Sequence, residues 1–206
     1  MRNIVVAGIG TDVGKTIVSA VLVEALGGDY WKPVHCGLSG TTDAERVKSL
    51  VTDAEASIHP EAYRLRAEVS PHQGSKMEGI AIDPAKLSLP KTARPLIIEM
   101  CGGIQVPITL DNTLSDVMNT WDADWILVSR NYLGSINHTL LSHHFLQSKK
   151  KKVLGIVFNG VPQPDSEQVI QHLTKLPVLG RINEEPILNK AVIKKYATAL
   201  RSHVAK

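Results

Sequence analysis

Short apolar runs rich in β-branched residues alternate along the chain with longer helical stretches. The apolar runs cover residues 3–8, 30–34, 95–99, 125–129, 153–159 and 178–182. Most are continuously apolar rather than alternating, as strands covered on both faces require. Between them, 15–26, 43–52, 114–120, 136–148 and 166–174 read as helices, and 187–204 reads as a closing helix. This alternation predicts an α/β domain, a mostly parallel β-sheet with helices on both faces. Prolines and small polar residues over 59–90 predict an irregular lobe or loop. No repeat, low-complexity stretch or long linker divides the chain, so residues 1–206 read as one domain.

Composition narrows the class. With 43% hydrophobic and 21% charged residues the chain is globular and not disordered. Its 206 residues can bury a core without a disulfide or metal staple. Cys36 and Cys101 are too few for a disulfide framework and lack zinc-site spacing. No apolar run approaches the roughly 20 residues that span a bilayer. The N-terminus passes from apolar residues straight into glycines, without the apolar core of a signal peptide, so a cytoplasmic location and no membrane partner are expected. A net charge of +3 gives no argument for nucleic acid, and 4% aromatics leave no base-stacking platform. The basic run Lys149 to Lys152 reads as a solvated helix C-terminus. His138, His143 and His144 have no acidic partners at metal-ligand spacing and read as packing or surface residues.

The first strand runs into Gly8-Ile9-Gly10-Thr11-Asp12-Val13-Gly14-Lys15-Thr16, and a helix starts at once. Strand, glycine loop and Gly-Lys-Thr at a helix start form the phosphate cradle of P-loop nucleotide-binding proteins. Glycines let several N–H groups turn toward one anion. Lys15 then reaches the outer phosphates, and the Thr16 hydroxyl suits magnesium. The generic pattern puts four residues before Gly-Lys-Thr, whereas Gly8 leaves five and Gly10 three. A P-loop alone leaves switches, kinases and ligases open.

Further along come Trp31-Lys32-Pro33-Val34-His35-Cys36-Gly37, Thr42-Asp43-Ala44 and Ser70-Pro71-His72. After these stand Glu99-Met100-Cys101-Gly102-Gly103, Val106-Pro107, Leu133-Gly134-Ser135-Ile136-Asn137-His138 and Gly155-Ile156-Val157-Phe158-Asn159. With the P-loop, this ordered set resembles the dethiobiotin synthetase family of the P-loop NTPase superfamily, whose longer loop accommodates the gap after Gly8. The resemblance runs from residue 4 to about residue 182.

It implies a ligase using ATP and magnesium to join diaminopelargonate and carbon dioxide into the cyclic urea of dethiobiotin. One amine becomes a carbamate, the carbamate takes the γ-phosphoryl group, and the second amine closes the ring with loss of phosphate. The catalytic residues it implies are Lys32, Lys15 and Thr11. Nucleotide contacts fall on Asp12, Val13, Gly14, Lys15, Thr16, Ile17, Glu99, Gly102, Asn159 and Gly160, with Asn159 reading the adenine edge. Thr16, Asp43 and Glu99 would hold the metal. Lys32, Cys36, Gly134, Ser135 and Asn137 would face substrate, the last three across a homodimer interface. Glu99, at the end of an apolar strand, demands a nearby cation.

The chain departs from the family at Met100 and Cys101, where small residues are usual, and at Asn183, where a proline is expected near the base. Cys36 replaces a serine or threonine, and two nearby lysines would lower its pKa and make it reactive. Two other readings remain open, a partitioning-type ATPase switch and a catalytically inactive nucleotide-binding regulator. The first wants a lysine early in its P-loop, where Gly10 and Asp12 stand. The second has no reason to retain Lys15, Thr16, Lys32, Asp43 and Glu99.

Overall fold

The computed structural model describes residues 2–205. The first strand, β1 (Asn3–Gly8), is apolar on both faces, and Ile4 to Ala7 are completely buried. It is the central strand of a seven-stranded sheet. Helix α1 (Lys15–Leu26) follows, then β2 (Asp29–Trp31) and β3 (Val34–Cys36). Next come α2 (Asp43–Leu50), β4 (Ile58–His59), β5 (Tyr63–Leu65) and α3 (Pro71–Glu78). The second half holds β6 (Leu96–Gly103), α4 (Leu114–Met118), β7 (Asp124–Arg130), α5 (Ser135–Ser148) and β8 (Val153–Asn159). It closes with α6 (Pro164–Thr174), β9 (Val178–Ile182) and α7 (Lys190–Val204).

The sheet order is β4-β2-β6-β1-β7-β8-β9, and all its pairs are parallel. After β1 the chain builds one flank with β2 and β4, returns with β6, and then builds the other flank from β7 to β9. The direction of winding therefore reverses around β1, and ligands of open α/β sheets bind beyond the strand ends at that point. Helix α1 is apolar nearly all round because it lies between the sheet and the outer helices α2 and α7.

Three departures from the sequence reading bear on the site. The expected strand 30–34 is two strands in different sheets. Pro33 has no N–H for a ladder, and its carbonyl instead accepts from Ala62 and Tyr63, which directs β3 into a two-stranded sheet with β5. The strand expected at 95–99 continues to Gly103, since Met100 and Cys101 are buried and the chain re-pairs with β1 at Gly8 opposite Gly103. Glu99 therefore lies inside a strand and not at its end. The irregular stretch 59–90 contains β5, a 3-10 turn at Pro84–Lys86 and α3, which starts with proline at its first helical position and stops at Gly79 in the left-handed region. Helix ends moved by a few residues elsewhere. The closing helix begins at Lys190, where the Asn189 side chain caps Val192 N–H.

Candidate active site

The P-loop is shaped by residues that tolerate positive φ. Gly14 sits at φ 94°, and a Cβ there would fall 2.2 Å from Asn159 Nδ2, so glycine is required both by conformation and by space. Asp12 also occupies the left-handed region, at φ 55°. No side chain caps the start of α1. Its first N–H groups point past the loop, the arrangement that binds phosphate. Asn159 at the end of β8 ties the loop down: its Nδ2 donates to the Val13 carbonyl at 3.0 Å. Lys15 Nζ donates to the Gly10 carbonyl at 2.8 Å, bridging its own loop.

Beside the loop, charges from four elements converge. Thr16 at the start of α1 donates to Asp43 Oδ1 at 2.7 Å and is 2.9 Å from Glu99 Oε1. Lys32, just past β2, pairs with Asp43 Oδ2 and lies 3.2 Å from Glu99 Oε1. Tyr30 donates its hydroxyl to Glu99 Oε2 at 2.9 Å. Asp43 opens α2, whose N-cap Thr42 forms a capping box with Glu45, so its carboxylate also faces a helix N-terminus. The cation that a buried Glu99 demands is Lys32.

Protonation follows from this packing. Burial would lower the Lys32 pKa, yet Glu99 and Asp43 together raise it above the usual lysine value. Burial lowers Lys15 pKa, and the pull of Glu99 does not offset it. For Asp43, burial acts upward but His35, Lys32 and Thr16 hold the carboxyl well below the usual range. His35 is buried, with Nε2 2.9 Å from the Gly37 carbonyl and Nδ1 3.5 Å from Asp43 Oδ2. A carbonyl only accepts, so Nε2 carries a proton, and a second proton on Nδ1 is favoured by the carboxylate. Its pKa is raised accordingly, chiefly by Asp43.

These groups open onto one cavity of about 1290 Å³ at the carboxyl ends of the strands. Thr11, Asp12, Gly14, Lys15, Thr16, Ile17, Lys32, Cys36, Asp43, Glu99, Gly102, Asn159 and Gly160 all line it. Val13 does not line it; its side chain is buried and its carbonyl is taken by Asn159. Gly134, Ser135 and Asn137 do not line it either. They form the first turn of α5, where Ser135 is buried and Gly134 and Asn137 are exposed, while His138, Leu141 and Phe145 further along reach the cavity. Cys36 corrects the expectation of a reactive thiol. Burial pushes it up to about 12, with Cys101 adding and Lys32 opposing.

Sequence reading missed Tyr30, His35 and Arg130. Arg130 ends β7 and links the loops on either side, donating to the Asp12 carbonyl at 3.5 Å and pairing with Glu184 at 2.8 Å. Its place just after a buried strand was the available signal. Tyr30 carried none, because its partner lies 69 residues away. Among the described residues, no three His, Cys, Asp or Glu side chains come together to hold a metal unaided.

A parallel sheet with a glycine loop, lysine and threonine at the head of the helix after its central strand defines a P-loop NTPase. The cell division ATPase MinD of Pyrococcus furiosus shares this fold, with a TM-score of 0.58 at 20% identity over 98% of each chain. A family profile described as an AAA domain matches residues 2–192. The ATP-dependent dethiobiotin synthetase of Christiangramia forsetii is 40% identical over 203 residues, 98% of either chain. That of Cytophaga hutchinsonii is 43% identical over 201 residues, 97% of either chain. The chain belongs to the ATP-dependent dethiobiotin synthetase family.

Proposed function

We propose that this chain uses ATP to close the cyclic urea of dethiobiotin from diaminopelargonate and carbon dioxide, a step of biotin biosynthesis. The observation that carries the chemistry is the meeting of Lys15, Lys32, Thr16, Asp43 and Glu99 in one cavity. The reaction brings an anionic carbamate oxygen against the γ-phosphorus of ATP, so cations must stand between them. The carbamate oxygen forms a bond to phosphorus as the bond to ADP breaks. The second amine then attacks the activated carbonyl carbon, and phosphate leaves with the ring closed. Little covalent chemistry falls to the protein; positioning and charge stabilisation do the rest.

The residues divide this work. Lys15 and the N–H groups at the head of α1 hold the β- and γ-phosphates. Lys32 stays ammonium at any working pH and faces the carbamate and the transferring phosphoryl group. The Thr16 hydroxyl lies within hydrogen-bond distance of both Asp43 and Glu99, and these three hard oxygen donors form a set that fits magnesium completed by phosphate oxygens and water. Magnesium held there would neutralise charge on the phosphates. Asn159 keeps Oδ1 free to accept from the adenine amino group while Nδ2 holds the P-loop.

The first turn of α5 has an uncapped N-terminus at Gly134 and exposes Leu133 fully beside it. We take this turn to receive the substrate carboxylate across a homodimer, as family resemblance implies. We also take the reaction to be cytoplasmic and magnesium-dependent. The test is turnover with ATP, magnesium, diaminopelargonate and bicarbonate, following phosphate release and the cyclic urea by mass spectrometry. One phosphate per urea is expected. ATP hydrolysis indifferent to diaminopelargonate would return the chain to the switch reading.

A further inference from the structure

Each carboxylate beside the P-loop turns one oxygen toward Thr16 and has its other oxygen held by a different partner. Asp43 Oδ1 lies 2.7 Å from the Thr16 hydroxyl, while Oδ2 pairs with Lys32 and faces His35 Nδ1 at 3.5 Å. Glu99 Oε1 lies 2.9 Å from the same hydroxyl and 3.2 Å from Lys32 Nζ. Its Oε2 instead accepts from the Tyr30 hydroxyl at 2.9 Å. The Thr16 hydroxyl has a single proton for two carboxylate oxygens, so a cation among these three oxygens would complete what that proton cannot.

Tyr30 is completely buried in the middle of β2, between Ile58 of β4 and Ile97 of β6. Glu99 stands two residues beyond Ile97 on β6, so the pleat puts it on the same face of the sheet as Tyr30. Donor and acceptor are thus carried by paired strands, and their spacing is set by the sheet ladder rather than by a loop. A carboxylate only accepts, so the tyrosine proton points at Oε2. That oxygen is withheld from any ion in the cavity, and only Oε1 is offered.

We infer that Tyr30 is a positioning residue that makes this corner select magnesium over calcium. Magnesium demands a tight octahedron, which single oxygens from separate groups build well. Calcium takes more oxygens at longer range and gains from carboxylates that bind through both of theirs. With Glu99 Oε2 tied to Tyr30 and Asp43 Oδ2 to Lys32, neither carboxylate has a second oxygen to give. The inference rests on the proposed reading that magnesium is held by Thr16, Asp43 and Glu99.

The experiment is calorimetric binding of magnesium and of calcium ions to the ADP-saturated protein, wild type against Tyr30→Phe. Phenylalanine keeps the ring and frees Oε2, so the ratio of magnesium to calcium affinity should fall about tenfold, the lower end of what an outer-shell partner contributes. A merely structural role would weaken both ions in proportion, and that unchanged ratio overturns the inference. Equal affinity of the wild-type protein for the two ions overturns it as well. Asp43→Asn separates this inference from the reading beneath it. If that variant binds magnesium as the wild type does, the metal reading falls and the inference with it. If it binds magnesium weakly while Tyr30→Phe keeps the wild-type ratio, the inference alone is overturned. Should Tyr30→Phe fail to fold, infrared difference spectra of the wild-type ADP complex decide. Calcium should then give the carboxylate stretches of one-oxygen binding, as magnesium does, and a bidentate band with calcium overturns the inference.

Discussion

Lys32 Nζ lies 3.2 Å from Glu99 Oε1, and the two side chains are 7% and 1% exposed. Buried charges at this spacing are tolerated because each supplies what the other lost in leaving water. Asp43 completes the arrangement from α2 and Tyr30 from β2. The ammonium is thus fixed before any ligand arrives, which is the preorganisation that electrostatic stabilisation of a transferring phosphoryl group needs.

Lys32→Ala should abolish turnover while sparing much of ATP binding, whereas Lys15→Ala should weaken ATP binding itself. The Lys32 variant also leaves Glu99 buried without its cation, which costs about 3–5 kcal/mol. A thermal melt of Lys32→Ala should therefore fall well below that of Lys15→Ala. Equal ATP affinities in the two variants would contradict the division of labour.

Asp43→Asn should raise the magnesium concentration needed for half-maximal turnover by about tenfold or more, with a smaller loss of stability than at Glu99 because the Asp43 side chain is 28% exposed. Glu99→Gln is the less clean probe, since Glu99 is fully enclosed and pairs with Lys32. A magnesium titration superimposable on the wild type in Asp43→Asn removes that carboxylate from the metal.

Cys36 should react slowly with thiol reagents at pH 7.5, because its pKa of about 12 leaves almost no thiolate. Cys36→Ser should fold and stay active, and a hydroxyl in place of the weaker thiol donor should lower the KM for diaminopelargonate up to about tenfold. Rapid labelling of Cys36, blocked by substrate, would show that the thiol is far more exposed to the cavity than its burial allows.

Asp29 begins β2 and is buried; Ser57 N–H donates to it at 2.9 Å and Thr92 at 2.5 Å, and His59 lies 3.3 Å away. Burial alone would raise its pKa, but the bonds from Thr92, Ser57 and His59 lower it below the ordinary value. A depressed folded pKa means the carboxylate stabilises the fold above its unfolded pKa of about 3.9 and loses that contribution as pH falls through the folded value. Asp29→Asn should cost about 2 kcal/mol at pH 7. In denaturant titrations the gap between variant and wild type should close below about pH 4. A gap that persists in acid would mean that packing rather than charge holds Asp29.

The sequence by itself determined the alternating α/β plan, the P-loop at Gly8 to Thr16 and the candidate residues Lys32, Asp43, Glu99 and Asn159. These were legible because strand burial, glycine spacing and motif order are local properties written in consecutive residues. Tertiary structure alone decided that Pro33 sends β3 out of the main sheet and that Glu99 lies within β6. It also decided that Asn159 spends one amide proton on the P-loop and that the Asn183 N–H donates to the Tyr196 hydroxyl. The same holds for Cys36, whose neighbours by sequence suggested a low pKa until its enclosure raised it. The reason is physical: desolvation and the last hydrogen bond of each polar group depend on what packs from distant elements. A pairing such as Val13 with Asn159, separated by 146 residues, leaves no local trace.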